Sequence, residues 1–284
     1  MTSPEPSVLE LLRRYNIRPD KRLGQNFLID PYFLNKVIEV AGITPGECAL
    51  EIGAGLGNLT RLLASQAGSV VAIELDDRLL PPLKENLIPY PNVVIVPGDV
   101  LQINISEFVD QSGYKVVANI PYYITSTLIR HLLESDPQPS SLTLTVQKEV
   151  AQRICAKPGN MSLLALSVQL YGKPAIMTHI PAEAFYPQPK VDSAVVRVDI
   201  LSTALIPPQS IDIFFRLAKA GFSQKRKTLR NSLSAGMHWS AEGTEQLLGT
   251  AHIDPQRRPQ TLSLKEWGEL TDVLIASDSS LIRD

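Results

Sequence analysis

Seven short apolar runs, at 48–52, 69–73, 93–96, 115–118, 142–146, 174–180 and 193–200, punctuate the first two hundred residues. The earlier runs are bounded by turn residues and separated by stretches with helical spacing, the pattern of buried strands alternating with helices. Helices are expected from Val8, over 32–41, from a glycine-rich segment to about Gln66, after Asp76 and Asp77, over 124–133, from Gln147 toward Cys155, and over 162–170. Such alternation predicts an α/β fold built on a sheet with parallel strands. Past 202–210, which holds Pro207-Pro208, helical spacing takes over, and a last helix is expected over 262–274. A sheet domain over 1–203 and a small helical domain over 204–284 are the expected division.

Composition narrows this picture without changing it. With 284 residues the chain exceeds the usual single-domain size, and 44% hydrophobic with 20% charged residues is ordinary for a soluble protein. The net charge of −2 means that any nucleic-acid contact must rest on a local patch. Cys48 and Cys155 are too few for a disulfide framework, and with His131, His179, His238 and His252 scattered, no metal site is expected. No apolar run approaches the roughly 20 residues that span a bilayer, and the polar start lacks a signal-peptide core. A cytoplasmic monomer with no membrane partner is expected.

Candidate chemistry gathers where strands end, the place at which open α/β sheets bind ligands. Run 48–52 leads into Gly53-Ala54-Gly55-Leu56-Gly57-Asn58-Leu59-Thr60. Glycines allow a sharp turn and close approach of backbone to a ligand, and the helix start presents free N–H groups. A dinucleotide fingerprint is Gly-x-Gly-x-x-Gly, whereas this segment reads Glu-x-Gly-x-Gly-x-Gly, which fits a methyl-donor cofactor better than NAD. Glu74 closes the next strand about 20 residues on and could accept both hydroxyls of a ribose. Asp99, in Pro97-Gly98-Asp99-Val100, could accept an adenine amine or serve as a plain turn.

The fourth strand delivers Asn119-Ile120-Pro121-Tyr122-Tyr123. The Asn amide oxygen and the backbone carbonyl of Ile120, held extended before Pro121, give two acceptors facing one point. A planar base amino group would satisfy both, with Tyr122 against the ring face at about 1–3 kcal/mol per stacked base. The same residues would also make a simple strand-to-helix turn, Pro being a good helix starter. Phe185, on the proline-stiffened segment 184–193, could cover the other face of a flipped base or be a core aromatic. Between Asp212 and Glu242 no acid occurs, while Arg216, Lys219, Lys225, Arg226, Lys227 and Arg230 do, giving either a phosphate-binding surface or a solvated helix face.

Six motifs, RLGQNFL, LEIGAGLGNLT, the Glu74 and Asp99 positions, NIPYYITS, AFYPQPKVDSAVV and FSQKRKTLRNSL, resemble those of the ribosomal RNA adenine N6-dimethyltransferase family in order. The likeness is greatest to its small-subunit (16S) branch. It departs at 159–164, where a Tyr-Gly pair is missing. The resemblance implies a Rossmann-like, seven-stranded S-adenosylmethionine-dependent methyltransferase sheet with a small C-terminal helical domain. It implies that Gln25, Asn26 and Leu28 fold over the cofactor and that Gly53 and Gly55 let it approach. Glu74 would hold its ribose, Asp99 with Val100 its adenine, and Asn119 would touch both cofactor and target. It further implies catalysis by Asn119, Ile120, Pro121, Tyr122 and Phe185, and RNA contact by Lys225, Arg226, Lys227 and Arg230. The implied reaction is N6,N6-dimethylation of two adjacent adenines in a hairpin near the 3′ end of small-subunit rRNA, in an assembling subunit. A non-catalytic assembly or transcription factor on the same fold, and a DNA adenine N6-methyltransferase, are the alternatives.

Overall fold

The computed structural model describes residues 6–109, 113–120, 125–203, 205–224 and 226–277. Helix α1 (Val8–Arg14) is followed by strand β1 (Phe27–Leu28), helix α2 (Pro31–Ala41), β2 (Cys48–Ile52), α3 (Asn58–Ala64), β3 (Ser69–Glu74), α4 (Leu80–Leu87), β4 (Val93–Pro97) and β5 (Lys115–Asn119). Then come α5 (Thr125–Leu133), β6 (Ser141–Gln147), α6 (Lys148–Ile154), α7 (Leu163–Gln169), β7 (Gly172–Ile180), β8 (Phe185–Tyr186) and β9 (Ser193–Ile200). Helices α8 (Ile211–Phe222), α9 (Leu229–Met237), α10 (Ala241–Thr250) and α11 (Leu264–Ala276) complete the chain.

Seven strands form one sheet in the order β4-β3-β2-β5-β6-β9-β7. The pairs from β4 to β6 are parallel, and β9 runs antiparallel to β6. From β2 the chain steps outward through β3 to β4 and returns to β5 on the other side of β2. That reversal opens a crevice outside the carboxyl ends of β2 and β5, where such sheets take ligands. It also explains why Gly53 and Asn119, distant in sequence, are neighbours: Ile52 is paired with Ala118.

Helices α2 and α4 pack on one face of the sheet. The stripe Leu34, Val37, Ile38 and Ala41 of α2 packs with Ala49, Val70, Val117 and Val195 of the sheet, and Leu83 and Leu87 of α4 pack with Ala72. Each large aliphatic side chain buried in this way contributes about 1.5–3 kcal/mol. The seven expected strands are all present. Two-residue strands β1 and β8 lie where loops are expected; they pair antiparallel, Phe27 with Tyr186 and Leu28 with Phe185.

The chain divides into two compact units, residues 1–151 with 173–200 and residues 152–172 with 201–284. The second crossing falls near the expected boundary at 203. The excursion 152–172 was expected in the sheet domain; it is counted with the helical unit because its loop is bonded there. Gly159 and Met161 both donate N–H bonds to the Gln260 carbonyl, at 2.8 and 3.1 Å. This is the segment that departs from the family pattern.

Within the second unit, Trp267 is fully buried and stacked on Phe222 at 5.8 Å between centroids. A Cβ on Gly221 would stand 2.4 Å from the Trp267 ring, so only glycine lets α8 and α11 approach this closely. No helix among the described residues is long and apolar enough to cross a membrane.

Candidate active site

The crevice is a cleft that opens to solvent. Its lining includes Gln25, Asn26, Gly53, Gly55, Glu74, Asp99, Val100, Asn119 and Ile120. All the residues expected to hold a cofactor are therefore on its wall except Leu28. That side chain is buried and lines an adjoining pocket of about 440 Å³, together with Glu51, Asn58 and Thr145. The two pockets share Phe27, Gly53, Gly55 and Asn119.

Glu74 ends β3 and is 6% exposed. Its Oε2 accepts from Gly55 N at 2.7 Å and its Oε1 from Asp76 N at 2.8 Å. Burial pushes this carboxyl above the ordinary range, while those two N–H bonds oppose the rise. The residue thus ties the glycine turn to the end of the neighbouring strand, and each oxygen retains a further lone pair for a ligand hydroxyl. Gly55 has φ +61°, and a Cβ there would meet the Phe27 ring at 3.1 Å, so glycine lets Phe27 approach the turn. Asp99 Oδ1 accepts from Leu101 N at 3.0 Å, so the carboxylate that lines the cleft also closes the turn.

Gln25 and Asn26 line the cleft, but their amides are bound to protein. Gln25 Oε1 accepts from Asp20 N and its Nε2 donates to Asp76 Oδ2, both at 2.7 Å. The Arg78 guanidinium beside Asp76 holds that carboxyl below the ordinary range, with Gln25 adding to the effect. Asn26 donates its amide to the Gly24 carbonyl at 3.1 Å. These residues pin the arm 20–28 across the cleft, acting through backbone and fold.

Asn119 is held by the same arm: its Nδ2 donates to the Asn26 carbonyl at 2.9 Å. An amide whose nitrogen is fixed has its oxygen fixed as well, turned away from Asn26, and no partner for Oδ1 occurs among the described residues. Ile120 follows, buried, its N–H bonded to the Thr145 carbonyl at 3.1 Å. Pro121 and Tyr122 lie outside the described residues.

Of the two readings of Phe185, cover for a flipped base or core aromatic, its placement fits the second. It is 3% exposed, packed with Leu28, Leu34 and Ile180, and is not part of the cleft wall. Stacking on a base would require it to leave this cluster. The exposed aromatic at that turn is Tyr186, 38% exposed.

Three further residues line these pockets. Leu75, 47% exposed although apolar, lines the cleft directly after Glu74 and offers a flat apolar patch beside the acceptors. Phe27 walls both pockets. Glu51, the acid of the glycine motif, is 2% exposed. Its Oε2 has no hydrogen-bond partner, and burial pushes its carboxyl up to about 8. The Thr60 hydroxyl nearby opposes that rise without reaching hydrogen-bond geometry. The acid's place two residues before Gly53 was the available signal for a role at this site. Among the described residues no group of three His, Cys, Asp or Glu side chains could hold a metal.

The basic stretch belongs to the second unit. Arg226 and Lys227 are exposed at the turn between α8 and α9. Arg230 does not present a free cation: its Nη1 lies 2.5 Å from Glu245 Oε1 on α10. Lys225 lies outside the described residues.

A switch-point cleft floored by glycines, with carboxylates at the ends of two adjacent strands and an apolar shelf beside them, defines an open α/β protein that holds a nucleoside-bearing cofactor. The chain belongs to the ribosomal RNA adenine dimethylase family, whose model matches residues 16–270. It is 45% identical over 275 residues to the ribosomal RNA small subunit methyltransferase A of Dehalococcoides mccartyi strain CBDB1, covering 95% of this chain and 94% of that one. A dimethyladenosine transferase from Plasmodium falciparum superposes with a TM-score of 0.73 at 28% identity, over 85% of this chain and 94% of the other. The 23S rRNA methyltransferase ErmE gives 0.71 at 27%, over 88% and 100%.

Proposed function

We propose that this protein is an S-adenosylmethionine-dependent adenine N6-dimethyltransferase of small-subunit rRNA, acting on two adjacent adenines in a hairpin near its 3′ end. The observation that carries the chemistry is Asn119, its amide nitrogen pinned to the arm and its oxygen left to accept. Sequence identity to the small-subunit relative, well above that to ErmE, favours the small-subunit rRNA as substrate. The reading extends to a cytoplasmic monomer that meets its RNA in an assembling subunit.

The residues present fit the cofactor. Glu74 has lone pairs for a ribose diol, Asp99 with Val100 stands where an adenine amine would be received, and Leu75 offers that base an apolar face. The space left by Gly53 and Gly55 admits the remainder. When bound, the cofactor supplies a methyl group on a sulfonium, a strong electrophile. The protein's own task is orientation. An adenine amine is a poor nucleophile because its lone pair is delocalised into the ring. Asn119 Oδ1 and the Ile120 carbonyl accept its two N–H bonds, which favours a pyramidal nitrogen with its lone pair directed outward. Fixed acceptors in a partly closed site stabilise the positive charge that develops on nitrogen without reorganising. The exposed Arg226 and Lys227 hold phosphates.

Purified protein with radiolabelled cofactor is expected to label small-subunit rRNA that lacks the modification, at two adjacent adenines located by primer extension, and to leave duplex DNA unlabelled. Labelling of DNA alone, or of neither, overturns the reading.

A further inference from the structure

Outside the cleft, a second, open concavity lies on the first unit, lined by Leu9, Leu12, Arg13, Asn16, Ile17, Arg18, Pro19 and Tyr186. Its charged lining is two arginines and no acid. Other cations of the region are paired: Arg14 with Glu85, Arg22 with Asp20 and Arg78 with Asp76. Arg13 and Arg18 are exposed and enter no ion pair among the described residues. Glu10, one turn before Arg13, is occupied by the capping box it makes with Ser7.

The walls are preformed. Ile17 N donates to the Leu12 carbonyl at 2.8 Å and Asn16 N to that of Arg13 at 3.1 Å, closing the helix end with Asn16 at φ +52°. On the far side stands Tyr186. It is paired with Phe27, and residues directly opposite in an antiparallel pair send their side chains to the same face. Phe27 walls the cofactor cleft, so the β1–β8 ribbon that carries Tyr186 also carries a wall of that cleft.

We propose that this concavity receives one unpaired nucleotide of the substrate RNA, flanking the target adenines, with its base on Tyr186 and its phosphates at Arg13 and Arg18. The proposal rests on the reading of the protein as an RNA methyltransferase. An exposed aromatic sharing a concavity with two guanidinium groups that enter no ion pair among the described residues is the chemistry that holds single-stranded nucleic acid. Because every base has a π face and phosphates carry no sequence, the site selects for an unpaired flank and not for a particular base.

The test compares two rRNA hairpins, one with single-stranded flanks and one trimmed to its stem and loop. Arg13→Gln/Arg18→Gln should bind the flanked RNA more weakly and with a salt slope shallower by about 1.4, two contacts at about 0.7 each. Between about 50 and about 200 mM salt the wild type then loses about sevenfold more affinity than the variant. Binding of the trimmed hairpin and of S-adenosylmethionine should not change. Tyr186→Leu should weaken the flanked RNA alone, and Tyr186→Phe should restore it. Equal affinities of wild type and double variant for flanked RNA, or equal losses on both RNAs, overturn the proposal while leaving the enzyme reading intact. Failure of the wild-type protein to bind or methylate either hairpin overturns both.

Discussion

The strand-end acceptors of the first unit and the basic stretch of the second are both polar surfaces visible in the sequence, yet they are held in different ways. Glu74 and Asn119 are placed by the sheet and then locked by bonds to Gly55, Asp76 and Asn26. Arg226 and Lys227 stand exposed, and Arg230 is drawn off by Glu245, an acid beyond the acid-free window. Where backbone geometry fixes a group, its position in the sequence predicts its role. Where only charge does, a partner from another helix decides whether the charge is available.

Breaking the locked side should have the largest effect. Asn119→Ala removes the proposed acceptor, and a loss of about 10²–10³ in single-turnover methyl transfer is expected, the usual result of deleting one transition-state hydrogen bond. Thermal unfolding and RNA affinity should change little. Asn119→Asp, still an acceptor, should retain more activity than Ala. A near-normal rate for the Ala variant with both ligands saturating would remove Asn119 from the mechanism, because a binding defect vanishes there and a chemical one does not.

Glu74→Ala comes next. Losing hydrogen bonds to a charged group should weaken S-adenosylmethionine binding by about 1–3 kcal/mol, measured by calorimetry. Gly55 and Asp76 lose their acceptor in the same step, so the melting temperature should fall too. Unchanged affinity would reduce Glu74 to a structural tie.

The seven-stranded sheet was legible because buried parallel strands carry near-continuous apolar runs and their carboxyl ends are marked by glycine, acid or Asn. The β1–β8 ribbon was not, since two residues cannot show a period of two and their pairing joins segments far apart in the chain. The same hidden pairing explains Phe185: with Leu28 opposite, it faces the core, while Tyr186 faces out. Gln25 and Asn26 line the cleft, but a sequence shows an amide and not that Asp20, Asp76 and Gly24 already use it. Colinearity puts the excursion 152–172 in the sheet domain, whereas its contacts group it with the helical unit.

Glu51 allows the locked side to be probed by pH. Its carboxyl titrates near 8 in the folded protein against an ordinary 4.5. The folded state therefore holds a proton that the unfolded chain releases between these values, and stability falls as pH rises from about 4.5 to about 8. Glu51→Gln keeps the shape and abolishes the titration. Relative to wild type, the variant should gain melting temperature as pH is raised from about 5 to about 8.5, with the difference levelling off above the folded value. Parallel melting-temperature curves for the two proteins would show that Glu51 does not titrate in this way.

The smallest effects belong to the basic stretch, and there the comparison can be sharpened residue by residue. Arg226→Gln and Lys227→Gln each remove an exposed cation, so each should flatten the salt dependence of RNA binding by about 0.7 if it meets one phosphate of a single strand. Arg230→Gln should leave that slope nearly unchanged, because the Arg230 charge is already neutralised by Glu245. It should instead cost up to about 1 kcal/mol of stability, the range of a partly exposed ion pair. Glu245→Gln provides the decisive complement: freeing Arg230 should steepen the salt slope by about 0.7. Should Arg230→Gln flatten the slope as strongly as Arg226→Gln, the ion pair yields to RNA, and the second unit's charges are as available as the sequence alone suggests.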